Sequence, residues 1–223
     1  MNDKCLYNSV CGMFASNDCN VNCLRYIETD YLLKSSNIPE YLQKPINLYP
    51  DNVDYNSFLT LRDIKDTITD KINAGNFNLY LYSSHTGNGK TSWAVKIMLR
   101  YFSDIWAGNG LRPRGLFISV PNLLYRLKDF NNLDEKLREW QQLIPKVDLI
   151  IWDDIASTKM SDYDCSRLLQ FLESRMGKSN IFTSNADRET LVQAVGNRLA
   201  SRIWLNSVRI ELKGKDKRGG NDD

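Results

Sequence analysis

The sequence predicts an α/β domain built on a mainly parallel sheet flanked by helices, preceded by a small cysteine-rich module. Three observations carry this reading. From about residue 55 onward, strand-length apolar runs alternate with segments of helical period, the pattern of a doubly wound sheet with right-handed crossovers. A glycine-rich loop joins the first of these runs to a helical segment. Four of the five cysteines fall within the first 23 residues.

The N-terminal module is assigned to residues 1–35. Cys5, Cys11, Cys19 and Cys23 are spaced C-x5-C-x7-C-x3-C. In a reducing compartment four clustered thiolates can close a tetrahedral zinc site, supplying folding energy that so short a segment cannot draw from a core. The spacing lacks the paired CxxC of a zinc ribbon. An iron–sulfur cluster accepts the same ligands, and free or partly paired thiols are the third reading. Cys165 stands alone in a helical stretch. Residues 36–54 read as a linker, because Pro39, Pro45 and Pro50 interrupt periodicity and bias their predecessors towards extended backbone.

The core, residues 55–212, opens with a helix from Ser57 to Ile72, on which Phe58, Leu61, Ile64, Ile68 and Ile72 share a face and Gly75 marks the stop. A strand-like run through Asn78-Leu79-Tyr80-Leu81-Tyr82 then leads into Thr86-Gly87-Asn88-Gly89-Lys90-Thr91-Ser92. Gly87 and Gly89 let backbone N–H groups approach an anion, Lys90 reaches β- and γ-phosphates, and Thr91 offers a hydroxyl to Mg²⁺. The helix that starts there adds its positive end. The full pattern has a glycine five residues before Gly89, where this chain has Ser84. His85, the sole histidine, lies in this loop and is given no catalytic role.

Leu116 to Val120 is the second strand, and Pro121 opens a helix. Arg126 and Lys128 share the following segment with Tyr125 and Phe130. That mixture suits base stacking and phosphate contact, and equally an amphipathic helix with a solvated basic side. Leu133 to Leu143 is predicted helical. Val147 to Asp154 is an apolar run of buried-strand length ending in two carboxylates, at the strand end where parallel sheets bind ligands. Asp153 is expected to hold Mg²⁺ and Asp154 to orient the attacking water. Ser161 to Met176 has the pattern of a helix with Leu168, Leu169, Leu172 and Met176 inward. Asn180 to Ser184 forms a further strand, and Asn185 at its end can hydrogen-bond a γ-phosphate or its water. Arg198 and Arg202, four apart, project from one helical face. They fit either an arginine finger supplied in trans or a solvated face.

With these four elements in this order the chain resembles the AAA+ ATPases, and most closely the bacterial and phage helicase loaders of the DnaC/DnaI type. The resemblance spans residues 55–218. It rests on Thr86-Gly87-Asn88-Gly89-Lys90-Thr91, Trp152-Asp153-Asp154-Ile155, Thr183-Ser184-Asn185 and Asn197-Arg198-Leu199-Ala200-Ser201-Arg202. It implies an ATPase that binds ATP and Mg²⁺, self-associates through its core, and assembles with the replicative hexameric helicase and single-stranded DNA in replication initiation. Carried over, Lys90 and Thr91 are the nucleotide and Mg²⁺ ligands, Asp153 and Asp154 the metal and water residues, Asn185 the first sensor, and Arg202 the finger with Arg198 beside it. The family also resembles this chain in carrying a small metal-binding N-terminal module that touches the helicase. The tail, residues 213–223, holds Lys213, Lys215, Lys217 and Arg218, a segment for phosphate or DNA contact or a solubilising end.

Composition sets outer limits. With 29 basic and 27 acidic residues the charge is near balance, so DNA contact must come from a local patch. No stretch reads as membrane-spanning and the N terminus does not open as a signal peptide, so a cytoplasmic location is expected. A transposition helper ATPase of the IstB type and a nucleotide-gated adaptor with little hydrolysis are the alternative functions. A DnaA-like initiator is set aside for want of length for a duplex-binding domain, and a small-molecule kinase because it has no use for the paired arginines.

Overall fold

Along each strand from first to fourth, alternate residues enter two different cores, and this two-sidedness fixes the architecture. The computed structural model describes residues 5, 7, 11–14, 16, 19–43, 48–50, 52–105, 110–128, 135–205 and 207–214. The chain runs α1 (Leu24–Ser35), a 3₁₀ turn (Glu40–Leu42), α2 (Tyr55–Asp66), α3 (Ile68–Ala74), β1 (Asn78–Tyr82), α4 (Lys90–Asp104), β2 (Gly115–Ser119) and α5 (Val120–Lys128). It continues through α6 (Glu135–Leu143), β3 (Leu149–Ile155), α7 (Asp162–Glu173), β4 (Ser179–Ser184), α8 (Arg188–Trp204) and β5 (Val208–Glu211).

The sheet has the order β2-β3-β4-β1-β5 and every pairing is parallel. Tyr80, Ile118, Trp152 and Phe182 point to one face, packed with residues of α5 to α8. Leu79, Leu81, Phe117, Ile151 and Ile181 point to the other, packed with residues of α1 to α4. Because the strands are parallel, the loops after β1, β3 and β4 emerge at one edge, where an α/β sheet builds its ligand crevice. The predicted sheet flanked by helices is therefore present.

Four local features differ from expectation or lie beyond it. The single helix predicted from Ser57 to Ile72 is two helices, broken at Thr67 (φ −110°, ψ 12°). The Thr67 hydroxyl donates to Asp63 O at 2.8 Å, the back-bonding that bends helices. Met176 does not face inward: it lies past the end of α7 and is 76% exposed. β5 has no sequence signal, since Val208-Arg209-Ile210-Glu211 is short and of these four residues Ile210 alone is buried. Within 36–54, Ile38 and Leu42 join Leu32 of α1 in the core beneath α2 and α4. Ser36 O accepts from Phe117 N–H at 2.7 Å and Asn37 Nδ2 donates to Phe117 O at 2.9 Å, so this stretch covers the outer edge of β2. The tail beyond Gly214, with Lys215, Lys217 and Arg218, and also Phe130, fall outside the described residues.

Candidate nucleotide-binding site

β1 delivers the chain to Ser83, fully buried, whose Oγ accepts from His85 N–H at 3.0 Å and from Asn88 Nδ2. The loop turns back at Gly87 (φ +73°) and Gly89 (φ +96°), backbone that L side chains rarely adopt. Ser84 does not have positive φ, so its departure from the glycine pattern carries no such strain. Gly89 caps α4 without a side-chain hydrogen bond, and Thr91 and Ser92 sit in that helix's first turn. Orphan N–H groups at such a turn suit an anion. Lys90 is buried, and its ammonium donates to His85 O at 2.9 Å and Asn88 Oδ1 at 3.2 Å, across the concave side of the loop.

β3 brings the acidic pair to the same edge. Thr91 Oγ1 donates to Asp153 Oδ1 at 2.8 Å, closing 62 residues of sequence into one contact. Thr183 Oγ1 donates to the same oxygen at 2.7 Å. Burial pushes the Asp153 carboxyl above its usual range and neighbouring Asp154 adds to this, while the Thr183 and Thr91 hydroxyls and the Lys90 charge pull it back. A hydroxyl and a carboxylate meeting at one point supply two hard oxygen donors of the kind Mg²⁺ takes, so Thr91 and Asp153 fit that ion. Asp154 is exposed and left-handed (φ +58°), just where β3 and β4 slip out of register between Trp152 and Ile155. Asn185 is exposed at the end of β4, on the same edge.

The arginines lie elsewhere. α8 is broken at Gly196 (φ 76°, ψ 162°), and Arg198 and Arg202 are exposed on the part that follows. Arg198 pairs with Glu173 at 3.3 Å. Arg202 lines a small cleft with Glu173, Arg175, Lys178, Asn76 and Asn78, at the N-terminal edge of β1 and β4. That edge is a strand length, about 16 Å for five residues, from the loop holding Lys90. The two arginines are thus not brought to the chain's own Lys90 and Asp153.

Sequence reasoning missed two supports of the loop. Asn88 Nδ2 also donates to Leu212 O at 2.9 Å, tying the loop to the end of β5. Buried Asp54 accepts from the backbone N–H groups of Lys213 and Gly214, both at 2.7 Å. Neither contact has a local signal, because each depends on β5 lying beside β1. On α5, Arg126 stacks over Trp140 at 5.6 Å and Lys128 pairs with Asp164 at 3.4 Å, while Tyr125 is exposed.

Cys5, Cys11, Cys19 and Cys23 line one hollow together with Tyr7, Met13 and Phe14. Burial raises the Cys5 thiol, and the other three cysteines are near enough to add to that effect. Yet among the described residues no three His, Cys, Asp or Glu side chains are disposed to hold a metal ion. The donor type suits zinc; the thiol positions do not close a coordination shell. Tyr7 anchors this region to the core through its hydroxyl, which donates to Ile105 O at 3.0 Å.

No protein-family profile matches the sequence, and no curated protein matches it. Solved structures do. The crystal structure of the DnaC helicase loader aligns with a TM-score of 0.58 at 20% identity, covering 74% of this chain and 93% of that one. The chain shares the fold of the DnaC helicase loader. The DnaI structure gives a TM-score of 0.60 at 22% identity over 82% of this chain and 95% of DnaI. The replication initiator DnaA, bound to AMPPCP and single-stranded DNA, gives 0.56 at 16% identity over 77% of this chain and 50% of DnaA.

Proposed function

We infer that this protein is an ATP-dependent helicase loader acting in replication initiation. The observation that carries the nucleotide half of this reading is the contact between Thr91 and Asp153 beside the buried Lys90. Lys90 and the first-turn N–H groups of α4, with Thr86 to Ser92 around them, bind the β- and γ-phosphates. Thr91 and Asp153 would hold Mg²⁺, which would supply neutralisation of the phosphate charge. Asp154 orients the attacking water, and Asn185 hydrogen-bonds the γ-phosphate or that water. Arg202, with Arg198 beside it, serves a neighbouring copy, because its own loop is at the opposite edge of the sheet.

The partner half rests on likeness of fold: to DnaC, whose name is that of a helicase loader, and to a DnaA structure carrying single-stranded DNA. The docking surface is assigned to the N-terminal module, where Met13, Val21, Leu24 and Ile27 are exposed apolar side chains. The four cysteines gather round one hollow in this module, which makes it a distinct surface feature beside those apolar side chains. No helix among the described residues is long and apolar enough to cross a membrane.

Co-purification with replicative hexameric helicases in the presence of ATP tests the assignment. Deleting residues 1–35 would also remove the buried Leu32 and Leu33 of α1, so point changes are the better probe. The parent should retain a helicase, and the double variant Val21→Glu, Leu24→Glu should lose it while melting at the parent temperature. Failure of the parent to retain any replicative helicase would remove the loader reading.

A further inference from the structure

We propose that Thr183 is a positioning residue of the magnesium–nucleotide site, its single hydroxyl fixing both the Asp153 carboxylate and the left-handed turn at Asp154. The proposal rests on the nucleotide reading above. Between the paired positions Trp152↔Phe182 and Ile155↔Ser184, β3 contributes two residues and β4 only one, the count of a β-bulge. The two are Asp153 and Asp154, and the one opposite is Thr183.

Its side chain does what the shifted ladder does not. Asp154 N–H donates to Thr183 Oγ1 at 3.0 Å, and that oxygen in turn donates its proton to Asp153 Oδ1 at 2.7 Å. The polarity of this chain is forced, because an ionised carboxylate only accepts and a backbone N–H only donates. Thr183 is fully buried in a strand whose neighbours Ile181 and Phe182 pack in the two cores. For packing alone, valine would serve as well, since it has the same branched shape; the hydroxyl is explained by what it holds.

On this geometry Asp153 has two hydroxyl partners on one oxygen, Thr91 and Thr183. Only Thr183 also bonds the backbone of the water-orienting residue. Partners of this kind behind a metal ligand typically set affinity or activity by about 10- to 100-fold. They do so by orientation, so they act on the metal-loaded complex and leave recognition of the nucleotide itself unchanged.

The test compares the parent with Thr183→Val and Thr183→Ser by three readouts. These are Mn²⁺ binding followed by electron paramagnetic resonance with AMPPCP present, binding of metal-free ADP by calorimetry, and ATP turnover against ATP at saturating Mg²⁺. The valine variant should bind metal-free ADP as the parent does, require about tenfold more Mn²⁺ for half-saturation, and lose kcat with KM little changed. The serine variant should recover the parent Mn²⁺ affinity. Parental Mn²⁺ affinity and kcat in the valine variant would overturn the proposal, as would equal impairment of serine and valine, which would mark the residue as packing. Should the valine variant not melt cooperatively, Thr183→Ala in the same titrations decides by the same criteria. A parent that binds neither ADP nor AMPPCP would remove the nucleotide site itself, and Thr183's role with it.

Discussion

Glu28 shows at the scale of one residue how this chain places charge where water is scarce. It is 3% exposed on α1, and one carboxylate oxygen has no hydrogen-bond partner among the described residues. Burial raises its pKa, and the attraction of Arg114 and Arg25 recovers only part of the shift. A carboxyl whose folded pKa lies above its unfolded one binds its proton more tightly in the native state. Its contribution therefore favours folding at low pH and turns unfavourable as pH rises through the folded value. Glu28→Gln should accordingly melt higher than the parent at pH 8, with the difference closing as pH falls towards 5; a constant difference across that range would refute the assignment. At this scale the convergence of Lys90, Thr91 and Asp153 on one sheet edge was legible in the sequence, because a strand, a glycine-rich loop and a second strand ending in carboxylates set them at parallel strand ends. Thr183 has no such signature, since the task proposed for it depends on a bulge that no spacing announces.

Elements were legible where their periodicity is dictated by burial on two faces. β1 to β4 are buried on both sides, and each stands out in the sequence as a strand-length apolar run. β5 escaped because an edge strand with exposed Val208 and Arg209 has no such run. The break at Thr67 escaped because the apolar face continues through it: Leu61, Ile64 and Ile68 are all buried. The close approach of α4 to β2 is equally silent in sequence. A Cβ on Gly115 would lie 2.8 Å from the Phe102 ring and 3.0 Å from Met98 Sδ. Gly115→Ala should therefore destabilise the fold by about 1–3 kcal/mol, the usual range for overpacking. Chemical denaturation would measure this, and an unchanged midpoint would show that α4 moves freely away from the sheet.

For the whole molecule, the opposite edges of the sheet carry the two halves of one proposed reaction centre. Lys90, Thr91 and Asp153 gather at the C-terminal edge, and Arg202 lines a cleft at the other. On the proposed function, turnover requires two copies. Arg202→Ala should bind ATP as the parent does yet lose about a thousandfold or more in associated turnover. Mixing it with Lys90→Ala, which keeps the arginine, should restore activity to part of the population. An Arg202→Ala protein with parental turnover, or a mixture without rescue, would contradict a finger acting in trans. The N-terminal segment belongs to the same whole: Tyr7, Ser36 and Asn37 bond to Ile105 and Phe117, so the cysteine-lined hollow is tied to the end of α4 and the edge of β2. The measurement that bears most directly on the account is calorimetric titration of the protein with ATP and Mg²⁺. Saturable binding near one nucleotide per chain is predicted, weakened about 10- to 100-fold in Lys90→Ala through loss of a charged contact worth roughly 1.5–3 kcal/mol. An absence of binding heat in the parent, or equal affinity in the variant, would contradict the nucleotide site on which the proposed function stands.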